Sequence, residues 1–556
     1  FTSEAALRCE AGLQGLVSLT ALPRLLTPDE VAYAARGMQA ALLAPDRALA
    51  APALAGLEAM LATHAPILEA EALPLLLGEL PAHVAAPSSA LRTVLGALGR
   101  LCTPPALFAA LATRVLDLLE GLARDDAVTA GYACALLATL HVALERKIAA
   151  GHTDLAPQAA QLPRRLLAWL DVPSPLPRRP PVVQQASDVL LVLAPQAAPA
   201  DAQALVDEAV RRWDGPRGAR SPLGDAADAA PPVLLAPWAA LLVALPASVA
   251  WPGGGDAWLE ALLAWLARAR ASVPDVATRS AGLMACALAN KACAPPERAL
   301  AAFWAQIPAL APAQQRACLE AWVWMARGWL ARGEAHGLAM LTTLRTAMLA
   351  DARLGEAPRA LHVLVHDDAL LSRAHGFRVR VLYKQRLLDT LVPQLLEAYA
   401  AADGARTSCL VALATLLPAL SPGTLQARFP TLLPLLVHTL GLPDGRARAA
   451  AARALLAVLA AERADDALRI PLDSLVSHLL ASVAPGAAAP PATRLACLHL
   501  LAAVAAHWPA DELRPHQRPV VQTLGRPAQG VDDPRRAVRA AAVDCRDVWY
   551  RVGTPA

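Results

Sequence analysis

The chain is poor in the residues from which sheets and catalytic sites are built. Aromatic residues make up 4% of it, and strand-type runs of Val, Ile, Thr and Tyr are missing. That leaves an all-α chain. No HExxH, GxSxG or GxxxxGK(S/T) occurs, and no GxGxxG opens a helix after a strand. The fingerprints of zinc and serine hydrolases and of nucleotide sites are therefore absent. A protein that is not an enzyme and carries no cofactor or metal is expected. Charge of one sign is scarce as well, with a net charge of +3 over 556 residues. Nucleic acid calls for a concentrated basic stripe, so no direct binding to it is expected. The nine cysteines form no CxxC. Most lie in apolar helical runs, as reduced core thiols do, which suits a cytoplasmic or nuclear compartment. Cys286 and Cys293 stand seven apart, which is wrong for compact ligation. His366-Asp367-Asp368 is read as a turn and cap rather than as a metal or acid site.

What is abundant is Ala and Leu, the strongest helix formers. They lift the apolar fraction to 56% and the mean hydropathy to +0.39. Val233 to Trp251 carries no charge in nineteen residues, near the length of a membrane span. Pro237 and Pro246 interrupt it, so two short buried helices and no membrane are expected. The 48 prolines would each cost about 3 kcal/mol inside a helix, so most are expected to mark ends and first turns of helices roughly 10 to 20 residues long. Thr27-Pro28-Asp29-Glu30 is such a start, with a Thr cap, a Pro and two acids. The opening residue is Phe1, read as an internal start.

The repeat is clearest in the last third. Pro430, Pro471 and Pro515 open successive first helices at steps of 41 and 44 residues. Arg448, Arg494 and Arg539 fall in successive second helices at steps of 46 and 45. Paired helices with a period in the forties indicate HEAT or armadillo arrays. One pair cannot bury its own apolar face, and stacked neighbours bury it for one another. The fold expected is an all-α HEAT-repeat α-solenoid, a curved superhelix of antiparallel helix pairs. Its parts are helical repeats over 1–212, a flexible loop at 213–232, helical repeats over 233–375, and C-terminal repeats over 376–556 that dock partners. Asp532 to Val543, DDPRRAVRAAAV, resembles a HEAT unit. That likeness implies structural roles for Asp532, Asp533, Arg539, Arg448 and Arg494.

Phe377 to Leu396 reads as the helix around which the chain is organised. Val381, Leu388, Val392, Leu395 and Tyr399 mark one apolar stripe, and Pro393 is expected to kink or restart the helix. Off the stripe stand Arg378, Arg380, Lys384 and Arg386, with no acid until Asp389. Arg380 and Lys384 would share a helix face, an arrangement that costs a few tenths of a kcal/mol, roughly. Two readings stay open: a solvated face satisfied by neighbouring loops, or a surface prepared for an acidic partner.

Three stretches carry a family resemblance. They are Ala321–Gly333, AWVWMARGWLARG; the run from His366 to Leu396; and the closing VRAAAVDCRDVW with Val538, Arg539, Ala542, Val543, Arg546 and Trp549. Arg380, Tyr383, Lys384, Gln385, Arg386, Leu387 and Leu388, followed by Val392-Pro393, match one family segment, and Asn290-Lys291 matches another. From about Ala281 onward the chain resembles the large HEAT-repeat subunit of the cytosolic iron–sulfur assembly targeting complex. That family is also known for MMS sensitivity, nucleotide excision repair and transcription. Leu387 and Leu388 depart from the aromatics of its animal members. The resemblance implies a non-enzymatic adaptor of the cytoplasm and nucleus. It would dock a small cluster-carrier subunit and a WD-repeat propeller subunit. It would recruit client iron–sulfur apo-proteins, among them helicases, polymerases and primase, for insertion of 4Fe–4S clusters. Arg378, Arg380, Lys384, Gln385 and Arg386 would contact the partner, and Trp549 would be structural. Trp322, Trp324 and Trp329 are expected in the core. The alternative is a general HEAT scaffold for transport or phosphatase assembly.

Overall fold

The computed structural model describes residues 2–20, 22, 25–44, 49–122, 129–213, 235–268, 275–292, 294–365, 369–401, 406–417, 420, 422–461, 471–483, 489–526 and 530–553. Among them are twenty-six α-helices and no strand, so the all-α solenoid of helix pairs is the fold. His366-Asp367-Asp368, Cys293 and most of the expected loop at 213–232 lie outside the described residues. The chain divides into two compact units, Phe1–Trp304 with Ala369–Arg378, and Ala305–Asp368 with Val379–Ala556.

The first unit holds α1 (Thr2–Thr20), α2 (Pro28–Leu43), α3 (Ala50–Ile67), α4 (Leu73–Gly78), α5 (Ser89–Leu101), α6 (Pro105–Leu122) and α7 (Ala130–Ala149). It continues with α8 (Ala156–Leu170), α9 (Pro180–Leu193), α10 (Pro199–Trp213), α11 (Leu235–Ala244), α12 (Gly254–Arg268) and α13 (Asp275–Lys291). Then comes α14 (Glu297–Gln306), within which the division falls. Helices α3, α5, α7, α9, α11 and α13 pack side by side in one layer, and α6, α8 and α10 form a second. In α5 the buried Leu91, Val94, Leu95, Leu98 and Leu101 recur every three or four residues, so one face meets its neighbours. Polar groups tie the pairs together where they are buried. Trp169 Nε1 of α8 donates to the Leu119 carbonyl of α6 at 2.8 Å. Lys147, fully buried, donates to the Thr103 carbonyl at 2.8 Å and pairs with Asp154 at 2.8 Å. These two contacts supply the partners that a polar group buried this deeply needs. At α2 the expected start is a capping box, with Thr27 and Glu30 each bonding the other's main-chain N–H.

Two readings of apolar stretches need correction. The run 233–251 holds one short helix, not two: α11 is buried almost all round, and residues 245–251 are non-helical. Its ring system explains the difference. Trp238 lies 4.6 Å from Trp258, and Trp258 5.3 Å from Trp251, all edge to face, so the chain must turn after α11 to bring Trp251 back. Among the described residues the helical stretch apolar and long enough to cross a membrane by composition is instead Ala50–Gly78. It is kinked at His64 and widened into a π-turn at Leu68–Ala72, and its Glu58 binds Arg100 and Arg146.

The second unit holds α15 (Pro312–Arg332), α16 (Ala335–Ala350), α17 (Ala357–Ala360), α18 (His362–Val365), α19 (Tyr383–Ala401) and α20 (Arg406–Leu416). After them come α21 (Pro422–Leu440), α22 (Gly445–Ala461), α23 (Leu472–Val483), α24 (Pro491–His507), α25 (Ala510–Leu524) and α26 (Arg536–Tyr550). Helices α20, α22, α24 and α26 form one layer, backed by α21, α23 and α25. One apolar core runs through them from Val411 to Trp549. The second helices start at 445, 491 and 536, which is the expected period. Pro471 does precede α23, but Pro430 and Pro434 lie inside α21, and Pro515 and Pro519 inside α25. All four prolines are exposed, on the outer faces of their helices.

Candidate protein-docking site

In the first unit the segment Ala369–Arg378 is held by the end of α13. Asn290 is buried there. Its Nδ2 donates to the Arg378 carbonyl at 3.0 Å, and its Oδ1 accepts from the Arg378 N–H at 2.9 Å. Next to it, Lys291 Nζ donates to the carbonyls of Leu242, Val243 and Leu245 at 3.1, 2.6 and 2.7 Å. The first two are orphan carbonyls of the last turn of α11 and the third follows it directly, a place where a cation is favoured. The ammonium also sits 4.5 Å from the centroid of the buried Phe377 ring. Burial pulls the Lys291 ammonium down to about 7, while the three carbonyls and the ring face act to keep it charged. The Arg378 side chain is exposed.

In the second unit the expected helix from Phe377 is shorter at its front: α19 begins at Tyr383. The reason lies in the main chain before it. Arg380 N–H donates to the Ala331 carbonyl at 2.7 Å, a tertiary bond that a helical Arg380 would lose. The Arg380 side chain crosses Gly333, which caps α15 at φ +88°; a Cβ there would lie 2.0 Å from Arg380 Nε. Leu382, the residue before α19, takes φ +64°. Tyr383 Oη accepts from Arg327 Nε at 3.4 Å. Arg327 is buried in α15, donates to the Val363 carbonyl at 2.9 Å and lies 5.1 Å from the Trp324 ring.

Val381, assigned to the apolar stripe, is 71% exposed, because it precedes the helix. Leu387, Leu388, Leu391, Val392 and Leu395 form the buried face instead, and the helix runs through Pro393 to Ala401. Arg380, Gln385 and Arg386 are exposed, and Lys384 is half-buried. Arg380 lies outside the helix, so it shares no helix face with Lys384. The anchoring roles of Asn290, Lys291 and Arg327, and the display of Val381 and Leu382, escaped the sequence reading. The Asn-Lys pair was visible, but nothing in it told what it binds.

The repeat residues are placed as follows. Arg494 of α24 pairs with the buried Asp533 of the next turn at 2.8 Å. Asp533 also accepts from the Arg535 N–H at 2.8 Å, and its carbonyl accepts from Arg539 at 2.6 Å. Asp532 is exposed. Arg448 donates to Ser482 Oγ at 3.1 Å. Trp549 is fully buried, and its Nε1 donates to the Leu501 carbonyl at 3.0 Å. A second acid–arginine pair had no signal in the sequence: Asp444 accepts from Arg359 at 2.6 Å and from the Ala447 N–H at 3.0 Å. Burial works to raise its carboxyl, but those bonds and the guanidinium hold it below the usual range. Trp322, Trp324 and Trp329 are all buried. Among the described residues Cys102, Cys318 and Cys545 are pushed up to about 12 by burial, and no group of three His, Cys, Asp or Glu is placed to hold a metal.

Residues 94–505 match the family model described as RNAPII transcription regulator C-terminal. The chain is 29% identical over 237 residues to the MMS19 nucleotide excision repair protein homolog of Xenopus laevis, covering 42% of this chain and 22% of the frog protein. The human homolog is 30% identical over 224 residues, covering 40% of this chain and 21% of the human one. The DNA repair/transcription protein mms19 of Schizosaccharomyces pombe is 25% identical over 258 residues, covering 46% and 24%. The matched stretch thus spans about a quarter or less of these relatives' lengths. Among solved structures, yeast importin-beta (Kap95p) is similar with a TM-score of 0.46 and 13% identity, over 95% of this chain and 63% of that one. Kap121p is similar with a TM-score of 0.35 and 13% identity, over 95% and 49%.

Proposed function

We propose a function from one premise: the chain belongs to the RNAPII transcription regulator C-terminal family. Its curated relatives are named for nucleotide excision repair, DNA repair and transcription. In our reading it is a non-enzymatic adaptor of cytosolic iron–sulfur protein assembly, working in cytoplasm and nucleus. Its C-terminal repeats dock the small cluster-carrier subunit and its WD-repeat propeller partner. The rest of the solenoid recruits apo-proteins of DNA replication, repair and transcription. The adaptor speeds cluster delivery by raising the effective concentration of donor and client.

The observation that supports this reading is the start of α19. Arg380 and Arg386 are exposed there, on a main chain pinned to α15 by the Arg380–Ala331 bond and by Tyr383 against Arg327. Cations held on a fixed frame favour a partner of opposite charge, in encounter rate and in orientation. Size-exclusion chromatography with the purified carrier–propeller pair tests the reading. Co-elution of all three is expected. Separate elution would count against it and in favour of a general HEAT scaffold.

A further inference from the structure

The two residues between Arg380 and Tyr383 are built in an unusual way. Leu382 has φ +64°, the one non-glycine among the described residues with a positive φ. An L residue with a side chain avoids that region, because Cβ crowds the following carbonyl. Strained backbone of this kind persists only where its surroundings over-determine it, and it gathers at functional sites. The surroundings here do so: Arg380 N–H is fixed to Ala331, the Leu382 carbonyl accepts from the Arg386 N–H at 3.0 Å, and Tyr383 meets Arg327. The strain brings no burial in return. Val381 is 71% exposed and Leu382 57% exposed, side by side at the tip of the turn.

We propose that Val381 and Leu382 are the apolar tip of a docking element that seats in an apolar pocket, rimmed by carboxylates, on a protein partner. The proposal rests on the adaptor reading of the same segment and names the side chains that would anchor it. Three features select the partner chemistry. Arg380 and Arg386 stand exposed on either side of the tip, so the rim it meets should be acidic. Leu382 stands just before the first turn of α19, where the helix dipole favours negative charge nearby. The tip is aliphatic and held on a fixed main chain, so little conformational freedom is lost when it seats in a preformed pocket. A membrane surface fits less well, since interfacial binding needs an amphipathic helix face and these two residues precede the helix.

The test uses the whole chain and the purified carrier–propeller pair as probe, with V381S/L382S and L382G. L382G removes the side chain while glycine accepts the backbone. Binding is expected to weaken about tenfold or more in both variants, as for loss of a central anchor. L382G should melt no lower than the wild-type chain, an outcome that a packing role would not give. Binding unchanged in both variants would overturn the inference and leave the adaptor reading standing. If the wild-type chain does not bind the pair, the adaptor reading falls instead. The tip is then decided by p-benzoylphenylalanine placed at 382 in cells. An adduct mapped to an apolar segment flanked by Asp or Glu supports the inference; absence of any adduct overturns it. So would binding to phosphatidylcholine vesicles carrying phosphatidylserine that L382G abolishes.

Discussion

Asn290 and Arg378, 88 residues apart in sequence, form a closed two-bond pair in which one side-chain amide replaces a strand or helix partner for an extended main chain. The pair holds the main chain at Arg378, the first of the basic residues. Asn290→Ala leaves the part-buried Arg378 N–H and carbonyl without their partner, at a cost of about 1 kcal/mol. Amide hydrogen exchange should show Arg378 losing protection, with Leu388 and Val392 unchanged. Equal loss along α19 would contradict a local clamp.

Lys291 gives a pH signature. Its folded value is about 7, below the ordinary 10.5, so between those limits the unfolded chain binds more protons. Stability should therefore rise with pH across that window. Urea midpoints of the wild-type chain and Lys291→Met, taken from pH 7 to pH 9.5, check this. The wild type should gain on the variant as pH rises, and a constant difference would refute the assignment. At pH 7 the variant should be less stable by roughly 2–4 kcal/mol, having orphaned three carbonyls.

The turn acids differ sharply. Asp533→Ala removes a buried partner of Arg494 together with a turn cap, and should cost about 3 kcal/mol. Asp532→Ala should stay within about 0.5 kcal/mol, since that side chain is exposed. A double-mutant cycle on Arg494 and Asp533 should return a coupling of about 1 kcal/mol or more.

Gly333→Ala meets two obstacles, the left-handed cap and the Arg380 side chain crossing it. A loss of about 1–2 kcal/mol is expected. The accompanying displacement of Arg380 should lower partner binding as well. Normal binding with lowered stability would show that Arg380 does not need this path.

The sequence told most about periodic features. Leucine spacing, a period in the forties and the Thr27–Glu30 start follow from local physics, and the structure has them. It told least where a distant group competes with a local preference. Residues 377–382 carry a helical pattern, yet Ala331 and Asn290 claim their main chain, and neither contact leaves a trace in spacing. Pro430, Pro434, Pro515 and Pro519 sit inside helices on their exposed faces, which no single-residue preference reveals. The basic residues are legible in the sequence, but Val381 leaves the apolar stripe, because α19 starts only after it.

The most direct measurement is a calorimetric titration of the carrier–propeller pair into this chain and into R380E/K384E/R386E. Circular dichroism would confirm that the variant keeps its helices. Sub-micromolar binding, on the order of −8 kcal/mol or stronger, is predicted for the wild-type chain, with loss in the charge-reversed one. Equal binding by both would contradict docking through α19, and no binding by either would contradict the adaptor itself.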